Sequence, residues 1–124
     1  VLTGPGESLG RRLGPTFDRV LVDVPCSGTG RIWLGDPKTW AEWSPRAVKR
    51  LAKLQRMLLH SGLAALKPGG TLVYSTCSLL EDENEAVIEK IPADITIEHT
   101  MRYTPARTEP IIEEGFFLAR LRRV

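Results

Sequence analysis

This sequence has little of what marks secreted, membrane or metal-binding proteins. Its 124 residues include two cysteines and two histidines, and 6% of them are aromatic. No stretch approaches the roughly 18 consecutive apolar residues of a membrane span, and the sequence near Val1 lacks the basic and apolar segments of a signal peptide. Two cysteines without a secretion signal predict reduced thiols, a cytoplasmic location and no membrane partner, with a structural disulfide as the alternative.

The two histidines give no sign of a metal site. His60 falls in a predicted helix and His99 in a predicted strand, and neither lies at ligand spacing from a cysteine. Two cysteines alone do not complete a zinc site, which takes four ligands or three and a water. We therefore expect no metal.

Composition is that of one small soluble domain, with 42% apolar and 26% charged residues. Most of the 17 basic residues are arginines, the net charge is +2, and acidic residues concentrate between positions 81 and 89. Arginines suit bidentate phosphate contacts, so the pattern weakly favours an anionic partner. A mixed, solvated surface explains the charges equally well.

The chain opens with a predicted loop and a predicted strand. Residues 1–16 are rich in glycine and proline and predict a connector rather than a helix. The apolar run between Val20 and Val24 does not alternate with polar residues, which is typical of a strand buried on both faces in a parallel sheet. Pro25 ends this strand because it cannot donate a ladder hydrogen bond.

A long helix and a second strand follow. Ser44 is a predicted N-cap before Pro45, and leucines recur at helical spacing as far as Leu66. Residues 67–70, with sequence KPGG, end this helix, and residues 71–76 predict a strand. Strand, helix and strand in this order form a right-handed βαβ unit with parallel pairing.

Parallel pairing brings the carboxyl ends of both strands to one edge of the sheet, where open α/β sheets place their ligands. Asp23 and Cys26 follow the first strand, and Cys77 follows the second. We therefore expect these three side chains to lie together.

The remaining chain predicts a helix over residues 82–91, a strand over 95–99, a loop containing Pro105 and Pro110, and a last strand over 115–122. The acidic first turn of that helix matches the positive end of the helix dipole.

All three tryptophans, Trp33, Trp40 and Trp43, lie in an irregular segment between the first strand and the long helix. They predict either a lid or stacking surface over the site, or simple packing against the helix that follows.

Two thiols and a carboxylate at one edge suit covalent chemistry on a pyrimidine. A thiolate that adds to carbon 6 of cytosine makes carbon 5 nucleophilic enough to attack an electrophilic methyl group. A carboxylate near ring nitrogen 3 stabilises the adduct, and a second thiol assists removal of the carbon 5 proton. Plainer explanations remain: cysteines often act as small apolar residues, Asp23 can cap a turn, and a redox protein would join Cys26 to Cys77.

Three motifs together resemble the Sun/RsmB family of RNA cytosine-5 methyltransferases. They are DVPCSGTG at residues 23–30, KPGG at 67–70 and YSTCS at 74–78. The sequence ENE at 83–85 and GFFLA at 115–119 also fit, and the resemblance covers about residues 17–122.

The resemblance implies a Rossmann-like α/β fold, S-adenosylmethionine as cofactor, and rRNA or tRNA as substrate. It makes Cys77 the nucleophile, Cys26 the group that assists release, and Asp23 a contact of both base and cofactor. Pro25 is expected to contact the cofactor as well. The expected substrate contacts are Ser27, Gly28 and Arg31.

The family's glycine-rich cofactor loop and its ribose-binding acidic residue have no counterpart here. Gly4-Pro5-Gly6 is no such loop, since neither a strand before it nor a helix after it is predicted, and Glu7 is only a weak match for the adenine-side acidic residue. The chain, which begins with Val1 rather than Met, is therefore expected to be a C-terminal half of a catalytic domain, with residues 1–16 as connector and 17–124 as the half-domain. The alternative is a non-enzymatic module that needs a partner segment. Either way the strand at 17–23 is an uncovered apolar edge, which predicts a homodimer, strand exchange or a missing partner chain.

Overall fold

A computed structural model describes residues 1, 3–104 and 114–124 as a mixed four-stranded sheet with helices packed on it. In chain order the elements are α1 (Gly6–Leu13), β1 (Phe17–Asp23), α2 (Pro45–Ala64), β2 (Leu66–Thr76), α3 (Glu85–Ile88), β3 (Ile95–Tyr103) and β4 (Phe116–Arg123). The strand order is β1-β2-β4-β3, with β1 and β2 parallel and the other pairs antiparallel. The predicted α/β fold, a parallel βαβ unit with a final strand pair, is confirmed.

Helix α2 begins as its sequence predicts and ends two residues early. The Ser44 hydroxyl accepts a hydrogen bond from the Ala47 amide at 3.1 Å, and Pro45 is the first helical residue. The helix ends at Ala64 because Leu66 already pairs with Phe17 in the sheet. The KPGG segment thus lies within β2, at a pairing irregularity where Gly69 has a φ of 76°.

One face of the sheet holds the core. Leu72 and Tyr74 of β2 lie opposite Leu121 and Ala119 of β4, and all four are buried. Leucines of α2, including Leu59, complete this cluster. Side chains alternate along each strand, so the intervening residues face away from α2.

The prediction of a loop over residues 1–16 is wrong, because α1 lies there. Gly10 of α1 lets this helix approach α2 closely, because a Cβ at this position would lie 1.7 Å from the carbonyl oxygen of Ser61 in α2. The Gly10 amide donates to the Ser61 hydroxyl at 2.9 Å. Composition alone suggested a breaker, but here the glycine serves helix packing.

The predicted helix over residues 82–91 is mostly absent. A single 3-10 turn (Glu81–Glu83) precedes the four residues of α3, and Asn84 separates them with φ −115° and ψ −96°. The Asn84 side chain bonds to the end of β2, which holds this residue outside helical geometry.

The last two strands differ slightly from expectation. Strand β3 continues to Tyr103, four residues beyond the predicted end, because it pairs with β4 along its full length. Strand β4 is displaced by one residue at each end relative to the prediction. The predicted loop with Pro105 and Pro110 lies outside the described residues.

Strand β1 forms one edge of the described sheet and pairs there with β2 alone. Leu21, in its middle, is 70% exposed. A groove of about 540 Å³ lies among β1, α1 and α2, with Leu9, Leu13 and Phe17 in its walls. The described part of residues 1–16 therefore leaves the strand uncovered.

We predict that the isolated chain associates through this edge, so that its mass by light scattering rises with concentration. Leu21→Lys should shift it toward the monomer, because a charge on an edge strand opposes strand pairing. Leu34→Lys is the matched control, since Leu34 is 83% exposed but lies outside the sheet. A wild-type chain that stays monomeric at every concentration would contradict the prediction.

Candidate active site

The two predicted cysteines meet at the carboxyl edge of the β1–β2 pair. Asp23 and Ser75 are register partners, and the Val24 amide donates to the Ser75 carbonyl at 3.2 Å. Just beyond these strand ends the sulfur atoms of Cys26 and Cys77 lie 2.6 Å apart. Both cysteines are free and half-buried. The structure thus brings together the residues that the βαβ topology predicted.

Further hydrogen bonds join the loops that carry the two thiols. The Thr29 and Ser78 hydroxyls lie 3.0 Å apart, and the Leu79 amide donates to the Thr29 hydroxyl at 2.9 Å. These contacts follow each cysteine by one to three residues in the chain, so they hold the two thiol-bearing loops against each other.

Gly30 is packed where a side chain has no room. Its amide donates to the Cys77 carbonyl at 2.9 Å, and its carbonyl accepts from the Gly115 amide at 2.8 Å. A Cβ on Gly30 would lie 2.1 Å from the Gly115 carbonyl oxygen. A glycine is therefore required at this position for close approach of three backbone segments.

The two thiols differ in their acidity. The pKa of Cys77 is lowered from 9.0 to about 6, because the Cys26 thiol donates a hydrogen bond to it and the Arg31 guanidinium lies near; partial burial opposes these effects. The pKa of Cys26 is raised by its hydrogen bond to Cys77 and by burial. Near neutral pH, Cys77 is therefore a thiolate and Cys26 a thiol, and a thiolate is the nucleophilic form.

Asp23 lies at the same sheet edge but has its own partner. Its carboxylate is exposed and accepts a hydrogen bond from the Ser75 hydroxyl at 2.6 Å. It also lines the end of the groove between β1, α1 and α2. Pro25 is exposed, and its carbonyl accepts from the Gln55 side chain at 2.9 Å.

The residues predicted to bind substrate surround Cys26. Ser27, Gly28 and Arg31 line a cavity of about 520 Å³ that also contains Cys26. Gly28 has a φ of 70°, a conformation that favours glycine. Arg31 forms an exposed ion pair with Glu114 at 3.4 Å.

Two of the three tryptophans border the site. Trp33 lines the Ser27–Arg31 cavity, and Trp43 lines a neighbouring cavity of about 600 Å³ that also includes Cys26. Each is about 40% exposed, so neither is a core residue. Trp43 shares its cavity with Ala47, Arg50 and Leu51 of α2, so the stacking surface stays a prediction.

Sequence reasoning missed a buried polar group beside Cys26. Glu83 is fully buried and accepts hydrogen bonds from the Ser27 amide and from the Gln55 side chain, both at 2.9 Å. The Ser27 hydroxyl also donates to this carboxylate. The only available signal was the position of Glu83 in the ENE sequence, which looked like an acidic helix start.

The described residues contain neither a metal-binding cluster nor a membrane-spanning helix. Among residues 1, 3–104 and 114–124, no three histidine, cysteine or acidic side chains cluster closely enough to hold a metal ion. No helix in the same residues is long and apolar enough to cross a membrane.

We predict that alkylation of Cys77 by iodoacetamide follows a titration with a midpoint near pH 6, because the thiolate reacts. Cys26→Ala removes the donated hydrogen bond and should move the midpoint toward that of an ordinary thiol. Peptide mass spectrometry separates Cys77 from Cys26. A wild-type midpoint near 9, or no shift in the variant, would contradict the assignment.

Comparison with known proteins gives consistent matches. The chain is 38% identical to ribosomal RNA small subunit methyltransferase F of Escherichia coli O9:H4 (strain HS), over 95% of this chain and 28% of the relative. It is 40% identical to the protein of the same name from Salmonella arizonae, over 96% of this chain and 28% of the relative. The solved structure of NSun6 from Pyrococcus horikoshii with SFG has a TM-score of 0.80 and 29% identity, over 100% of this chain and 34% of that one.

The chain therefore spans less than a third of the length of these curated relatives. The structural match gives it the fold of S-adenosylmethionine-dependent methyltransferases, as predicted. The sequence model described as 16S rRNA methyltransferase RsmB/F matches residues 4–122, nearly the whole chain. On this evidence the chain belongs to the RsmB/F family of 16S rRNA methyltransferases.

Proposed function

We propose that residues 17–124 are the C-terminal half of a catalytic domain that methylates carbon 5 of a cytosine in rRNA or tRNA. The observation that carries the proposal is the pair of sulfur atoms 2.6 Å apart, with Cys77 acidic and Cys26 not. The names of the relatives support an RNA substrate, and the free thiols support a cytoplasmic setting.

In the first step the Cys77 thiolate adds to carbon 6 of the cytosine. The electron pair of the 5,6 double bond is displaced into the ring, and carbon 5 becomes nucleophilic. Arg31, which lowers the pKa of Cys77, keeps the thiolate available at neutral pH. Ser27, Gly28 and Arg31 line the cavity beside the thiols and are the proposed contacts of the nucleotide.

After carbon 5 has taken up the methyl group, Cys26 assists release in the second step. The charge of Cys77 and its hydrogen bond raise the pKa of Cys26 in the free site. Once Cys77 is bonded to carbon 6 that charge is gone, so Cys26 can lose its proton to solvent and then accept the carbon 5 proton. The 5,6 double bond re-forms and Cys77 leaves as thiolate. The hydrogen bond between Cys26 and Cys77 thus stabilises the thiolate before the reaction, and its loss in the adduct allows Cys26 to act as a base.

S-adenosylmethionine, when bound, supplies an electrophilic methyl group. The chain fits one wall of its pocket: the Asp23 carboxylate is exposed at the sheet edge, and only one of its oxygens has a hydrogen-bond partner in the described residues. Pro25 adjoins it and is also exposed. Gly4-Pro5-Gly6 leads into α1 with no described strand before it, and the glycine-bearing loop between β1 and α2 holds Cys26 instead. The remaining wall is therefore assigned to another segment.

We predict that Cys77→Ala abolishes transfer of labelled methyl groups to RNA, in a protein that carries the cofactor-binding half as well. Cys26→Ala should instead accumulate a covalent protein–RNA complex, visible as a slow band on a denaturing gel, because the adduct forms but does not resolve. Asp18→Asn is the control, since Asp18 pairs with Lys67 at the amino end of β1, opposite the edge that carries the thiols. A trapped complex with Cys77→Ala would reverse the two roles.

The alternative is an inactive module, favoured by the uncovered edge of β1. We expect the isolated chain to release no heat with S-adenosylmethionine in calorimetry and to transfer no methyl group. Activity of the isolated chain would show that these residues form a complete cofactor pocket and would contradict the half-domain assignment.

A further inference from the structure

A carboxylate is buried beside Cys26 without an ion-pair partner among the described residues. Glu83 is 0% exposed, and none of its contacts in the described residues is an ion pair. Removing a charge from water is costly unless hydrogen bonds replace the lost solvation. All three groups that face this carboxylate are donors: the Ser27 amide, the Ser27 hydroxyl and the Gln55 amide nitrogen.

These bonds hold both flanks of Cys26. Glu83 holds Ser27, the residue after the thiol, through its amide and its hydroxyl. The Gln55 nitrogen donates to Glu83 and also to the carbonyl of Pro25, the residue before the thiol, each at 2.9 Å. The backbone on either side of Cys26 is thereby tied to one buried group.

Asn84, the residue after Glu83, holds both flanks of Cys77 in the same way. Asn84 is also 0% exposed. Its Oδ1 accepts from the Thr76 hydroxyl at 2.7 Å, and its Nδ2 donates to the Ser78 carbonyl at 2.9 Å. Thr76 and Ser78 are the two neighbours of Cys77 in the chain.

The pair is anchored to the core by a third contact. The hydroxyl of Tyr74, a fully buried residue of β2, donates to the Glu83 carbonyl at 2.7 Å. Glu83 and the adjoining Asn84 are therefore fixed to β2, the strand that leads to Cys77.

We propose that Glu83 and Asn84 are positioning residues that set the separation of the two thiols, Glu83 through Cys26 and Asn84 through Cys77. Neither touches a reacting atom. The inference deepens the proposed function and rests on it for the roles of the thiols. An ordinary structural role predicts lower stability when either residue is changed, but no change in how the thiols interact.

The test uses the isolated chain and the pH dependence of Cys77 alkylation, which needs neither cofactor nor RNA. Glu83→Gln, which keeps the shape but places a donor against donors, should raise the midpoint by about one unit, in the direction of Cys26→Ala. Asn84→Leu, which removes the bonds to Thr76 and Ser78 without adding a charge, should raise it as well. Asp18→Asn should leave it unchanged, because that side chain pairs with Lys67 at the other end of β1.

Circular dichroism melting curves identify variants that do not fold. If Glu83→Gln fails to fold, Gln55→Met replaces it, because this change removes both donated bonds while keeping the length of the side chain. Variants that melt at lower temperature with an unchanged Cys77 midpoint would overturn the proposal, since the residues would then be structural only.

Cys26→Ala distinguishes a failure of the proposed function from a failure of the positioning role. If this variant leaves the midpoint of Cys77 unchanged, the thiol coupling behind the proposed function is absent. If it raises the midpoint but Glu83→Gln, Gln55→Met and Asn84→Leu do not, the proposed function stands and the positioning role is wrong.

Discussion

The parallel pairing of β1 with β2 is the constraint on which the rest of the structure depends. Because the two strands are parallel, both end at the same edge of the sheet, with Asp23 opposite Ser75. Because side chains alternate along a strand, a slip of one residue would turn the apolar set of β1 to the other face. The core formed by α2 against β1 and β2 therefore also fixes the register that brings the thiols together.

Two identical side chains acquire opposite properties from their surroundings. Cys77 receives a donated hydrogen bond and lies near a guanidinium, whereas Cys26 is the donor; burial raises the pKa of both thiols. The asymmetry is local and involves no metal ligand cluster in the described residues. Because a hydrogen bond requires a narrow range of distances and angles, a site of this kind depends on how firmly the two loops are held.

Much of this arrangement was predictable from the sequence, for identifiable reasons. Continuous apolar runs and the Ser44 cap specify strands and a helix through local rules, and chain order then specifies parallel pairing. Helix α1 was not predictable, because the value of Gly10 depends on contact with Ser61 in a distant helix. Glu83 and Asn84 were not predictable either: an acidic stretch normally faces solvent, and only the folded chain shows that these two side chains are buried. The individual roles of Cys26, Cys77 and Asp23 come from resemblance and stay proposals.

The close packing at Gly30 has a consequence for how the chain can be altered. Its carbonyl is bonded to the amide of Gly115, the residue just before β4, and no side chain fits between them. The final strand is therefore not a neutral tail, although it carries none of the reactive groups. A truncation before residue 115, or an insertion that shifts the entry into β4, would remove a backbone support of the Cys26 loop. A fusion that leaves residues 115–123 in place and adds sequence after them would keep the hydrogen bond between Gly30 and Gly115.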